Sequence, residues 1–390
     1  MSINKKTFRT GSSVGFIAGS FKYDGVGTGS NTADVSVTGL GFEPDLLWIF
    51  PRDENDTSSR KNFVIDRAFA GSTETMHISG GGVIQTVRAN NDIITWGTDG
   101  FTLHARSNYT GSNKPHSTFN RDGSKYCGIA FKTTTSGATN NDGNTTSTVF
   151  VNADGAFSKV TFTSGGGSTT IGHGLGVKPE VMLCIRTNLS LSSASSFGDS
   201  RGGATIFDDT DNDFRGGQGF SNTQFSRPLD SSSNHMSANT STISVHSSSS
   251  LGGDSGVDYV IYAFAPKSGF FDRESYVGNA SSSTRTILSA DFAPIVAFIP
   301  GENRFHCFHP DRANSGTPRT GTLNFFRVPG NQAVGGLELE DNAMFSNETG
   351  SVNVDGGNQD VRLSSSESDT NANGFRYGCF AFGGDMFSIA

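Results

Sequence analysis

The sequence predicts an all-β protein of three tandem antiparallel β-sandwich domains, of jelly-roll or immunoglobulin-like type. Two observations carry this. One pattern of strands and turns occurs three times along the chain. The composition also favours short strands and many turns: 390 residues include 50 Gly but only 11 Pro, without the long Ala/Glu/Lys/Leu stretches of helices. Hydrophobic residues make up only 34%, so each core must be small, yet 32 Phe let a sparse set of rings fill several of them.

The repeat shows first in the closing strand. Tyr126-Cys-Gly-Ile-Ala130-Phe131, Tyr259-Val-Ile-Tyr-Ala263-Phe264 and Tyr377-Gly-Cys-Phe-Ala381-Phe382 all read Tyr-x-x-x-Ala-Phe. In a strand the Tyr and Ala face one side and the Phe the other. A strand with apolar residues on both sides belongs inside a sandwich or between packed layers. Upstream of each lies a corner: Gly39-Leu-Gly-Phe-Glu-Pro44, Gly174-Leu-Gly-Val-Lys-Pro179 and Ser289-Ala-Asp-Phe-Ala-Pro294. From each Pro the closing Tyr follows 82, 80 and 83 positions later (44 to 126, 179 to 259, 294 to 377). Each corner leads into an apolar run: Leu46–Phe50, Val181–Ile185 and Ile295–Ile299. Glycine permits the positive φ of a tight corner, and proline fixes the bend before a buried strand.

Two further strands recur. Val35–Val37, Thr169–Ile171 and Thr286–Leu288 lead into the corners. Phe101–Leu103, Ile243–Val245 and Val361–Leu363 alternate apolar and polar residues, the period of a half-buried strand. Leading strands are expected at Phe16–Tyr23, Lys159–Thr163 and Glu274–Val277. The resulting division is an N-terminal arm (1–15), repeat 1 (16–133), a linker (134–148), repeat 2 (149–268) and repeat 3 (269–390). The linker is assigned from its low-complexity Thr/Ser/Asn/Gly composition. The three domains are expected to pack in a row.

A net charge of −8 without any Lys/Arg-rich run argues against nucleic acid as a partner. No apolar stretch of about 18 residues suggests a membrane span, and Met1 to Gly19 has no apolar core of a secretory signal. Cys127, Cys184, Cys307 and Cys379 form no C-x-x-C pair and lie in strand-like runs, so they read as buried reduced thiols.

Site candidates are few. Asp209, Asp211 and Asp213 have the alternating spacing of a calcium loop. Phe214 and Phe220 stand where such a loop has Gly and Glu, so a solvated acidic turn is the preferred reading and calcium the alternative. Cys307 and His309 share a strand face, but zinc would need further ligands. No Ser/His/Asp arrangement is evident around the scattered histidines, so no catalytic residue and no cofactor is expected. Trp48 reads as core. Trp96 and Tyr109 are the aromatics that could stack on a sugar ring if exposed.

The stretch Gly39-Leu-Gly-Phe-Glu-Pro-Asp-Leu-Leu-Trp-Ile49, followed by Gly100-Phe-Thr-Leu103 and a closing strand ending Ala130-Phe131-Lys132, resembles a β-sandwich repeat of tailed-bacteriophage virion proteins, especially marine and cyanobacterial ones. The second copy matches without the Trp, and the third has Ser289 and Asp291 in place of the glycines. The resemblance implies a non-enzymatic virion structural protein, assembled in the host cytoplasm among other virion proteins. A tail-associated or fibre role is preferred, with host attachment through a surface glycan and a symmetric homo-oligomer expected. Capsid decoration, a carbohydrate-binding adhesin and a polysaccharide depolymerase are the alternatives.

Overall fold

The structure is a computed structural model. It describes residues 18–26, 33–51, 63–67, 75–79, 83–87, 94–104, 120, 122, 125–133, 136–152, 155–186, 204–209, 214–217, 236–245, 255–283, 285–292, 294–300, 305–308, 322–323, 351–355, 360–364, 371–374 and 376–383. Among the described residues the chain is all-β with essentially no helix, and its strands pair antiparallel into six sheets.

The first repeat comprises β1 (Ala18–Asp24), β2 (Val35–Thr38), β3 (Leu46–Pro51), β4 (Phe63–Asp66), β5 (Thr75–Ser79), β6 (Val83–Val87), β7 (Ile94–Gly97), β8 (Gly100–Leu103) and β9 (Lys125–Phe131). The second comprises β10 (Ala138–Asn140), β11 (Ser147–Val151), β12 (Phe157–Thr163), β13 (Thr169–Gly172), β14 (Val181–Arg186), β15 (Ala204–Asp209), β16 (Phe214–Gly217), β17 (Met236–Ala238), β18 (Thr242–Val245) and β19 (Asp258–Phe264). The third comprises β20 (Phe271–Val277), β21 (Arg285–Ser289), β22 (Pro294–Pro300), β23 (Phe305–Phe308), β24 (Thr322–Leu323), β25 (Ser351–Asp355), β26 (Asp360–Ser364) and β27 (Arg376–Gly383).

The same topology appears three times. Leading, closing and post-Pro strands make the large sheets in the orders β1-β9-β3, β12-β19-β14 and β20-β27-β22. The smaller sheets run β2-β8-β7, β13-β18-β17 and β21-β26-β25. Registers also correspond: Phe131 pairs with Ala18 and Leu46, Phe264 with Phe157 and Val181, Phe382 with Phe271 and Val296. Each repeat's two sheets share one hydrophobic cluster. In repeat 1, for example, Phe21, Leu47, Ile49, Tyr126 and Ala130 of the large sheet meet Val35, Val37, Ile94, Phe101 and Leu103 of the small one. The closing Tyr stacks on the aromatic opposite it in the leading strand: Tyr126 on Tyr23 at 4.9 Å, Tyr259 on Phe162 at 5.4 Å, Tyr377 on Tyr276 at 5.2 Å. Such cross-strand ring pairs add about 0.5–1.5 kcal/mol beyond area burial and pin register.

The corners differ in construction. Gly39 and Gly41 have φ of 88° and 75°, and the Asp99 carboxylate accepts their N–H groups at 2.8 and 2.7 Å. This turns Leu40 into the core. In repeat 2, Gly174 and Gly176 keep the positive φ, and His173 replaces the carboxylate. Its Nδ1 accepts the Leu175 N–H at 3.2 Å, so Nε2 carries the proton and donates to Asn239 O at 3.1 Å. Burial pushes the His173 pKa down, which suits this neutral ring. The third corner has no such glycines, and among the described non-glycine residues only Ala280 has positive φ. Register irregularities flank this corner instead, between Thr286 and Leu288 and between Pro294 and Val296. A bulge bends a strand where a left-handed glycine is missing.

Two expectations change. The segment read as a linker contains β10 and the start of β11, which add to the large sheet beside β12. Its polar residues bond to the backbone: Asn144 Oδ1 accepts the Thr170 N–H at 2.8 Å, and Thr170 Oγ1 accepts the Asn144 N–H at 2.8 Å. Low-complexity Asn and Thr here build turns rather than a free tether. The repeats also do not follow one another in a row. Phe131 lies 5.6 Å from both Phe264 and Phe382, which are themselves 5.1 Å apart, so each repeat touches both others.

Gly128, in the middle of β9, is forced by close approach: a Cβ there would lie 2.3 Å from Trp48 O and 2.5 Å from Phe21 Cζ. Gly128→Ala is expected to lower stability by about 1–3 kcal/mol, as overpacking does. Gly165→Ala, where nothing lies within 4 Å, is expected to leave it unchanged. Urea denaturation of the two variants side by side checks this.

Candidate functional site

The closing strands place their Phe residues on the face opposite the repeat's own core, and Phe131, Phe157, Phe264, Phe271 and Phe382 are all at most 1% exposed. Phe157 lies 5.1 Å from Phe131 and 4.9 Å from Phe264, while Phe271 lies 5.0 Å from Phe382 and 5.8 Å from Phe264. The result is an apolar centre built from all three repeats.

Charged groups are buried at its margin. Lys159 Nζ, from repeat 2, sits 2.9 Å from Asp66 Oδ1 of repeat 1, with side-chain exposures of 4% and 0%. Tyr262, beside Lys159 in the register, donates its hydroxyl to Asp66 Oδ2 at 2.5 Å. Lys159 also lies over the Phe150 ring, 4.5 Å from its centroid. At the position equivalent to Lys159, Arg273 of repeat 3 bonds Glu180 of repeat 2 through Nε. Nearby, Asp45 accepts the Thr133 N–H at 2.8 Å, and Arg67 bonds Glu43 at 2.7 Å. Burial pushes the Asp45 pKa up despite these partners. Fully paired groups of this kind hold surfaces in one register.

A second cluster lies on the face of the β2-β8-β7 sheet turned away from the core. His104 Nδ1 is 2.8 Å from Asp34 Oδ2, and its Nε2 is 2.7 Å from Thr95 Oγ1. Carboxylate, imidazole and hydroxyl stand in the order of a nucleophilic relay. Sequence reading missed it because Asp34 and His104 are 70 residues apart. The setting is an open polar face, where Thr102 also donates to Ser36 at 2.9 Å. Counted along the sequence from the paired strands, Ser168 and Thr284 stand where repeat 1 has the Asp34 carboxylate. In repeat 1 the arrangement pins three strands across one sheet.

The sequence candidates fare as follows. Asp209 ends β15 and pairs in register with Phe214, while Asp211 and Asp213 lie outside the described residues, so the calcium reading falls largely outside them too. Cys307 lies in β23 and His309 outside the described residues. Among the described residues no group of three or more His, Cys, Asp or Glu is placed to hold a metal ion. Cys184 and Cys379 are buried, and burial pushes the Cys184 thiol up to about 12. Trp48 is buried. Trp96 is half-buried and packs against the repeat 1 core, with its Nε1 buried. Tyr109 lies outside the described residues. No described helix is long and apolar enough to cross a membrane.

Asp66→Ala strands a buried ammonium and is expected to cost about 3–5 kcal/mol. The apolar double replacement Asp66→Leu with Lys159→Met is expected to recover most of this, as read by urea denaturation. Burial first, and then the Asp66 charge and hydrogen bond, raise the Tyr262 pKa well above 10.0. The folded state thus keeps a proton that the unfolded chain loses, and stability falls as pH rises above about 10, by up to about 1.4 kcal/mol per pH unit for this group. Tyr262→Phe is expected to flatten that slope in alkaline melts.

Comparison with curated proteins gives no match. A family model described as Domain of unknown function (DUF7483) matches residues 19–306, spanning repeats 1 and 2 and running into repeat 3. By that match over most of its length, the chain belongs to the DUF7483 family.

Proposed function

We propose that the chain is a non-enzymatic structural protein of a bacteriophage virion, built of three tandem β-sandwich domains and located on the tail or a fibre. One observation carries the scaffold reading. The apolar faces left over after each repeat builds its own core are buried against one another, through Phe131, Phe264 and Phe382. The buried ion pair Asp66–Lys159 joins repeats to one another. Chemistry-bearing groups are thereby committed to shape. The relay at His104 serves the same end on an open sheet face.

The virion assignment rests on the resemblance of Gly39–Ile49 and its two copies to phage β-sandwich repeats, and it is analogy from fold and motif. Other virion proteins are the natural partners, with assembly in the host cytoplasm and a host-surface glycan as the ligand of a tail role. Ser/Thr/Asn-rich loops suit contacts dominated by shape and backbone pairing.

Immunogold labelling of purified phage particles, with an antibody raised against this chain, tests the reading. Gold on the tail is expected. Gold confined to the capsid shell would contradict the tail assignment in favour of decoration, and unlabelled particles would overturn the virion assignment altogether.

A further inference from the structure

We infer that the chain is a single-chain trimer: its three repeats surround a pseudo-threefold axis through Phe131, Phe264 and Phe382, and each uses the outer face of its large sheet to bind the other two.

Two independent sets of contacts lead there. The three rings occupy one register position in the three closing strands, and all three mutual separations fall between 5.1 and 5.6 Å. A row of repeats cannot bring the first and third copies together in this way. The ion pairs add direction. Lys159 and Arg273 stand at one position of their leading strands, and each reaches back to a carboxylate of the preceding repeat, Asp66 and Glu180. Both junctions are thus bridged from the same leading-strand position of the following repeat, although the acceptors differ: Asp66 ends β4, whereas Glu180 directly follows the corner proline. A head-to-tail contact that closes forms a ring. At the closing step the equivalent register position holds Ser20, so the third junction differs in its polar chemistry. The DUF7483 match crosses both inter-repeat junctions, as expected if the repeats are one folding unit.

The partner that this surface fits is therefore another repeat of the same kind, and two such partners are already supplied in the chain. The contacts that this surface needs are supplied within one polypeptide. This holds wherever the protein sits on a particle.

The test inserts a specific protease site between Thr134 and Thr135 of the full chain. The uncut protein is expected to elute as a monomer of 41.1 kDa. After cleavage both pieces are expected to remain in one particle of the same size. Phe382→Leu, a milder change than truncation, alters a ring in repeat 3 that lies outside the cut junction. It is nevertheless expected to weaken retention of the repeat 1 fragment on dilution, by about tenfold, because Phe382 touches Phe131. Phe382→Ala is expected to weaken it further. Separation of the unsubstituted fragments, retention unaffected by either substitution, or an intact chain eluting as a trimer or larger, would overturn the inference.

Discussion

Everything in this molecule depends on closing strands that are apolar on both faces. The Tyr and Ala of each motif face the repeat's own core, and the Phe faces away from it. A two-sheet repeat can bury only the first face by itself. The second face carries Ile129 and Phe131 in repeat 1, Tyr262 and Phe264 in repeat 2, and Phe380 and Phe382 in repeat 3, all at most 1% exposed. Burying a ring of this size stabilises by about 1.5–3 kcal/mol. The leftover faces must find apolar partners, and they find each other. Three small cores and one shared centre result, which is how a chain of low hydrophobic content encloses so many rings.

Polar groups then decide how those faces align. Apolar surfaces slide at little cost, whereas a buried Lys159–Asp66 pair with Tyr262 on the second oxygen tolerates only one placement. Arg273, at the position of Lys159, bonds Glu180 at the next junction, but this pair is more exposed and its acceptor comes from a different position. Such pairs contribute little net stability but penalise every misaligned arrangement. The corners show a comparable economy of means. Asp99 in repeat 1 and His173 in repeat 2 hold the same glycine turn with different chemistry, and repeat 3 replaces the turn with bulges.

Much of this fold was legible in the sequence because strand periodicity and turn chemistry are local. The triplicated Tyr-x-x-x-Ala-Phe motif identified the central strands, and the alternating triplets fell within β8, β18 and β26. What covers the outer faces was not legible, because alternation says that a face is buried without saying against what. Asp66 was overlooked because it ends a short strand in a variable stretch, and its partner Lys159 is 93 residues away. The segment at 138–147 was misread as a tether because composition cannot distinguish an unstructured Asn/Thr run from one whose side chains cap backbone groups, as Asn144 does. Family membership gives no activity by which to label the site, so the scaffold reading rests on where the polar groups are spent.

The contact between the first and third repeats is the point on which a ring differs from a row. It can be read directly from nuclear Overhauser effects in protein deuterated except at Phe rings, with the three resonances assigned by Phe131→Leu, Phe264→Leu and Phe382→Leu. Cross-peaks linking all three rings pairwise are expected from centroid separations of 5.1–5.6 Å. A spectrum linking Phe131 to Phe264 and Phe264 to Phe382, but not Phe131 to Phe382, would contradict the shared centre.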